Sequence, residues 1–145
     1  KTVGYDPFLD AERAATISQN LRFTDDLLDL CASCDYITIH VPATPKTKGM
    51  IGADEIAAMK EGAAFLNFSR DTLVDNDAMR AGLTSGKVRR YVTDFATPEV
   101  MTMEGALVLP HLGASTAEAE ENCAEMAVRE VMDYLETGKK VHCVN

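Results

Sequence analysis

Five side chains capable of chemistry fall where short apolar or β-branched runs stop: Asp6, His40, Arg70, Asp94 and His111. A carboxylate accepts hydrogen bonds from hydroxyl groups. An arginine holds a carboxylate in its planar fork of donors. A histidine exchanges a proton near neutral pH. One such residue at a strand end means nothing, but five in order point to a site. Each has a plainer reading. Asp6 before Pro7 shapes a turn, His40 beside Pro42 is a core histidine, and Arg70 forms a surface ion pair with Asp71, which is worth little. Glu99 and Glu104 are solvated loop charges on the same view. His111, between Pro110 and Leu112-Gly113, is held at the start of a loop and is hardest to dismiss.

The elements that would position these residues alternate strand and helix. Thr2–Tyr5 reads as a strand, followed by a weak helix over Asp10 to Ser18 and a brief strand at Leu21–Phe23. Thr24 suits an N-cap, with Asp25 and Asp26 in the first turn of a helix whose buried face is Leu27, Leu28, Leu30 and Cys31. Tyr36–Val41 has the mark of a strand covered on both sides. Pro42 to Gly49 is a loop by composition. A helix from about Ala53 to Lys60 precedes a buried strand at Ala63–Asn67. Asp75 caps a helix stopped by Gly86, and strands follow at Val88–Asp94 and Leu107–Leu109. Ser115 and Glu118 fit a capping box for a last helix ending at Gly138. Such alternation implies parallel pairing through right-handed crossovers, hence an α/β doubly wound parallel sheet. Ligands of an open parallel sheet bind outside the carboxyl ends of its strands. The five residues sit there.

Composition narrows the partners. The chain has 145 residues, 46% hydrophobic and 26% charged, the balance of one soluble globular domain. No apolar run approaches the roughly 18 residues that span a membrane, so no membrane partner is expected. Net charge is 14 − 23 = −9. That surface repels a polyanion, so no nucleic-acid partner is expected either. Cys31 and Cys34 have C-x-x-C spacing, but no second pair accompanies them. They read as buried thiols in a reducing cytosol rather than a metal site, which makes the protein cytoplasmic.

The ordered runs are similar to one family. They are Gly4-Tyr5-Asp6-Pro7, Cys34 through Pro42, Met59 through Ala63, Asn67-Phe68-Ser69-Arg70, Leu73-Val74-Asp75, Thr93-Asp94-Phe95 and Pro110 through Thr116. Together they resemble the D-isomer-specific 2-hydroxyacid dehydrogenases across essentially the whole chain. The Pro-His-Leu-Gly-Ala-Ser-Thr run tilts the resemblance toward members acting on a phosphorylated 2-hydroxy acid. Sister enzymes of glyoxylate, hydroxypyruvate or D-lactate stay open, as does a non-catalytic dinucleotide-sensing scaffold.

The resemblance implies a Rossmann-type domain, NAD as cofactor, a small-molecule substrate and a homo-oligomer, dimer or higher. It implies three catalytic residues. Arg70 binds the substrate's carboxylate and carbonyl, His111 is the general acid/base, and Glu99 orients that histidine and favours its protonated form. Pro98 precedes Glu99 where the family has a proline after it, and Asp71 stands where many relatives have glycine. For the cofactor, Asp6 matches the acid that binds the adenosine ribose and repels a 2′-phosphate. Pro42 and Thr47 match positions near adenine and ribose, and Phe68, Ser69 and Asp94 positions around the nicotinamide. His40, Arg70, His111, Gly113 and Ala114 complete the implied cofactor contacts. No G-x-G-x-x-G turn occurs. Residues 1–140 therefore read as the C-terminal two-thirds of a dinucleotide-binding domain without its first βα unit. Residues 141–145 read as the start of a return segment to a substrate domain.

Overall fold

The computed structural model describes residues 1–9, 12–13, 16 and 20–143, in two compact units, Lys1–Pro110 and His111–Asn145. The helix expected over Asp10 to Ser18 falls largely outside the described residues.

In the first unit β1 (Thr2–Tyr5) pairs with β2 (Leu21–Thr24), and β3 (Tyr36–Ile39), β4 (Ala63–Asn67), β5 (Val88–Thr93) and β6 (Ala106–Val108) form a second sheet in that order. Every pairing is parallel, as the alternation requires. Between the strands run α1 (Leu27–Ser33), α2 (Ala53–Ala58), a 3-10 turn (Asp71–Leu73), α3 (Asn76–Ser85) and α4 (Pro98–Met101). A cleft of ≈ 820 Å³, walled partly by Thr2, Val3, Tyr36 and Lys60, separates β1 from β3.

The core lies on one face of the larger sheet. Ile37, Ile39, Phe65 and Tyr91 pack there against Cys31 of α1, Ile56 of α2, Met79 of α3 and Val100 of α4. Burial also pushes the Cys31 thiol up to about 11, because an apolar surrounding disfavours thiolate. β3 is not covered on both sides, contrary to the expectation. Its burial alternates, with Tyr36 70% exposed and Thr38 exposed. Thr38, Leu66, Val92 and Leu107 form one cross-strand row on the face opposite the core, and none is buried. A run of β-branched residues is compatible with one covered face or two, so its composition could not decide this.

The caps are local corrections of the same kind. Asp26, not Thr24, caps α1, its carboxylate accepting from the Leu28 N–H at 2.9 Å. Thr24 is buried at the end of β2 and accepts from the Asp26 N–H instead. Asp75 caps α3 as expected, and Gly86 ends it in the left-handed region at φ 82°. Within α3, Gly82 lets the helix approach its neighbours. A Cβ there would stand 2.8 Å from Ile56 Cγ2 and 3.2 Å from Val88 Cγ2.

The second unit is built on α5 (Ala117–Thr137). Its N-cap is Thr116, whose hydroxyl accepts from the Ala119 N–H at 3.1 Å; the cap lies one residue after the expected Ser115, and with alanine at 119 no reciprocal capping box forms. Ser115 and Thr116 are both good caps by type, and the backbone chooses. α5 has no buried residue, and Val128, Val131, Met132 and Leu135 remain more than half exposed. No helix among the described residues is long and apolar enough to cross a membrane.

Candidate active site

The loops leaving β3 and β4 are built as one piece. After β3, the Thr47 hydroxyl donates to the Pro42 carbonyl at 2.7 Å and accepts from the Thr44 N–H at 2.8 Å, so Pro42 and Thr47 are brought together in a closed turn. The strand-like continuation of both loops is shared. Gly49 N–H donates to Thr72 O at 2.9 Å, Ile51 N–H to Leu73 O at 3.1 Å and Asp75 N–H to Ile51 O at 2.9 Å. His40 is exposed, its Nε2 3.0 Å from the Thr38 hydroxyl, and is not a core histidine.

Arg70 leaves β4 three residues after Asn67. The Ser69 hydroxyl donates to the Val41 carbonyl at 2.7 Å, tying this loop to the end of β3. Phe68 is 40% exposed beside it. Arg70 is exposed with extended backbone, and its Nη1 donates to Ser69 O at 2.6 Å. No ion pair between Arg70 and Asp71 occurs among the described residues. Asp71 instead accepts from the Thr72 N–H at 2.8 Å. Under the loop lies a buried polar group that the sequence reading passed over. Asn67 is 0% exposed, donates from Nδ2 to Arg70 O at 2.8 Å and accepts from the Ser69 N–H at 3.1 Å. Burial pushes the nearby Tyr91 hydroxyl above its ordinary value, with Asn67 and Thr93 opposing the shift. The only signal was a polar residue closing the apolar run Ala63–Leu66.

Asp94 follows β5 and is half-buried. Glu99 sits in the first turn of α4, which Thr97 caps and Pro98 opens. That local structure accounts for the order of the pair, since proline at the first helical position loses no hydrogen bond. Arg80 of α3 binds the other end of α4, donating to Glu99 O at 2.8 Å and to the Thr102 hydroxyl at 3.1 Å. Glu99 lines a cleft of ≈ 530 Å³ with Asp71, Asp75, Tyr91 and Phe95. It is the only residue of the expected set to do so. Asp6 follows β1 directly, exposed, and one carboxylate oxygen accepts from the Phe8 N–H at 2.9 Å. The turn reading of Asp6 is therefore correct for one oxygen. His111, Gly113 and Ala114 open the second unit, all exposed, with Gly113 and Ala114 at the centre of a turn closed by Ser115 N–H to Leu112 O at 3.0 Å.

Residues 1–113 match the model of the D-isomer-specific 2-hydroxyacid dehydrogenase NAD-binding domain. The chain is 35% identical to a D-3-phosphoglycerate dehydrogenase of Methanocaldococcus jannaschii, over 92% of this chain and 26% of that protein. It is 32% identical to the rat D-3-phosphoglycerate dehydrogenase, over 100% of this chain and 28% of that protein. The chain thus spans about a quarter of the length of these curated relatives. Among solved structures, the NAD-complexed D-isomer-specific 2-hydroxyacid dehydrogenase of Lactobacillus delbrueckii ssp. bulgaricus superposes with a TM-score of 0.83 at 22% identity. It covers 100% of this chain and 48% of that one. With a family model spanning most of its length and strands whose carboxyl ends carry the expected residues, this chain belongs to the D-isomer-specific 2-hydroxyacid dehydrogenases, in their NAD-binding domain.

Proposed function

We propose that the protein carrying this chain oxidises D-3-phosphoglycerate to 3-phosphohydroxypyruvate with NAD, the step that commits carbon to serine, as a cytoplasmic homo-oligomer. The observation that carries this reading is the name shared by the two curated relatives, 35% and 32% identical, over nearly all of the chain. Residues 1–140 serve as the C-terminal two-thirds of the dinucleotide-binding domain, and 141–145 lead toward a substrate domain.

The residues present fit part of the cofactor. Asp6 offers carboxylate oxygens at the carboxyl end of a parallel strand, suited to ribose hydroxyls, and one of them is already oriented by the Phe8 N–H. The closed Pro42–Thr47 turn and the Phe68–Ser69 loop give a rigid rim at neighbouring strand ends. His40, Asp94, Gly113 and Ala114 complete the assigned contacts on the resemblance alone. NAD supplies the acceptor for the hydride that leaves C2.

This chain's own residues do the rest. Arg70 holds the substrate carboxylate, its fork fixing C2 for hydride departure. One imidazole nitrogen of His111 takes the proton of the C2 hydroxyl as the carbonyl forms. Glu99, on the resemblance alone, supplies the negative charge that favours the protonated imidazole. The test is an NAD-reduction assay of the complete gene product with D-3-phosphoglycerate and with D-glycerate, its unphosphorylated counterpart. The reading expects kcat/KM at least about 10²-fold higher for the phosphorylated acid, the scale on which one lost charged contact shows. Equal efficiencies, or a preference for D-lactate or glyoxylate, sink it.

A further inference from the structure

Sequence places Arg70 at a strand end, but a strand end by itself does not aim a guanidinium. A loop of three residues has many backbone conformations, and each throws the side chain elsewhere. In this chain the conformation is set from beneath, by Asn67. Its carboxamide is wholly buried, and a buried amide is costly unless its donors and acceptor are used. Both ends are used on the same loop. Nδ2 donates to the Arg70 carbonyl at 2.8 Å while Oδ1 accepts from the Ser69 N–H at 3.1 Å. The amide therefore grips the backbone on both sides of the Ser69–Arg70 peptide, and the grip fixes two successive residues.

The strand beneath is held in turn. Two residues before Asn67, Phe65 packs 6.1 Å, centroid to centroid, from Tyr91 of β5, which is 1% exposed. Thr93, the cross-strand partner of Asn67 in β5, is likewise 0% exposed. The loop is pinned laterally by the Ser69 hydroxyl on Val41 O at 2.7 Å. With the backbone so held, what remains adjustable at Arg70 is its side chain, whose Nη1 rests on Ser69 O at 2.6 Å.

We propose that Asn67 is a positioning residue: the buried Asn67 carboxamide, hydrogen-bonded to Ser69 N–H and Arg70 O, sets the direction in which Arg70 meets the substrate carboxylate. This rests on the reading of Arg70 as the carboxylate-binding residue. Removing the amide leaves the Arg70 charge intact and misdirects it. Misplacement of about 1 Å costs on the order of 10²-fold in rate.

The test is a double-mutant cycle in the complete gene product, reading kcat and KM for the 2-hydroxy acid and for NAD separately. Asn67→Ala removes both bonds. Asn67→Asp is nearly isosteric, keeps an acceptor for the Ser69 N–H and loses the donor to Arg70 O, so it carries the test where Asn67→Ala does not fold. Each is made alone and with Arg70→Ala. Expected is a kcat/KM loss of about 10²-fold in either single variant, with KM for the hydroxy acid raised and KM for NAD changed less. In the Arg70→Ala background the same change at Asn67 is expected to cost less than about twofold, because there is no longer a fork to aim. If Arg70→Ala is damaging and the Asn67 effect is equal in both backgrounds, or absent, Asn67 is only structural and the proposal falls while the role of Arg70 stands. If Arg70→Ala leaves KM for the hydroxy acid unchanged, the role of Arg70 falls, and the positioning role with it.

Discussion

At the scale of single residues, type and punctuation made part of the site legible. Asp6 before Pro7, Arg70 after an apolar run and His111 between proline and glycine announce themselves as strand-end residues, because each stands where an apolar run meets turn-forming or polar residues. Asn67 did not, since a lone asparagine after an apolar run is also what a turn looks like. Its role depends on which backbone groups its amide meets, and those are set by tertiary structure. Asp6 carries a prediction about cofactor choice. In the complete gene product, Asp6→Ala should raise Kd for NAD and narrow the preference over NADP, because a ribose hydrogen bond and a charge repulsion vanish together. Titration with both cofactors checks it, and an unchanged ratio removes Asp6 from the ribose. Cys31 carries a prediction about pH. Its thiol is raised from 9.0 to about 11 by burial, so the folded state keeps a proton that the unfolded chain releases. The stability it contributes is fully present below pH 9 and is lost as pH rises through about 11. Tyr91, also raised by burial, acts in the same direction from its ordinary value of 10.0. Thermal unfolding against pH should therefore show Tm falling above pH 9. Cys31→Ala, less stable at neutral pH, should show a shallower fall.

Among the elements, the six strands and the helices α1, α2, α3 and α5 were readable in order, while the 3-10 turn and the short α4 were not. Alternation of period and the glycines at 86 and 138 located the strands and the ends of α3 and α5. The caps at Asp26 and Thr116 were each missed because a neighbour, Thr24 or Ser115, is as good by type. Two contacts between elements make predictions. Gly82 is the point where α3 meets α2 and β5, and an added methyl would sit 2.8 Å from Ile56 Cγ2. Gly82→Ala should therefore destabilise by about 1–3 kcal/mol, although alanine is the better helix former. Urea unfolding that finds Gly82→Ala more stable would mean α3 can move away without cost. Arg80 fastens α3 to the end of α4 through Glu99 O and Thr102. Arg80→Met keeps the apolar stem and loses the donors. It should cost about 1–3 kcal/mol in the same measurement.

For the whole molecule, the class of fold was legible and the separation into two sheets was not, because strand pairing across a gap leaves no local signature. β1 and β3 face each other across a cleft of ≈ 820 Å³, and α5 keeps its apolar stripe exposed. Free strand edges and apolar stripes invite association. The 145-residue chain alone should therefore scatter light as a species heavier than a monomer. It should bind NAD no tighter than about 1 mM, a few kcal/mol, since no glycine-rich turn within it cradles a pyrophosphate. A monomer with micromolar NAD affinity would contradict both expectations. One other feature bears on any attempt to redesign the site. The segments after β3 and β4 share the hydrogen bonds from Gly49 to Thr72, Ile51 to Leu73 and Asp75 to Ile51. Thr47 and Arg70 are therefore carried on a common frame and are not independent cassettes. A graft that transplants one loop from a relative and keeps the other brings mismatched halves of one ladder together. Donor loops have to be exchanged as a pair, spanning residues 42–51 and 68–75 together.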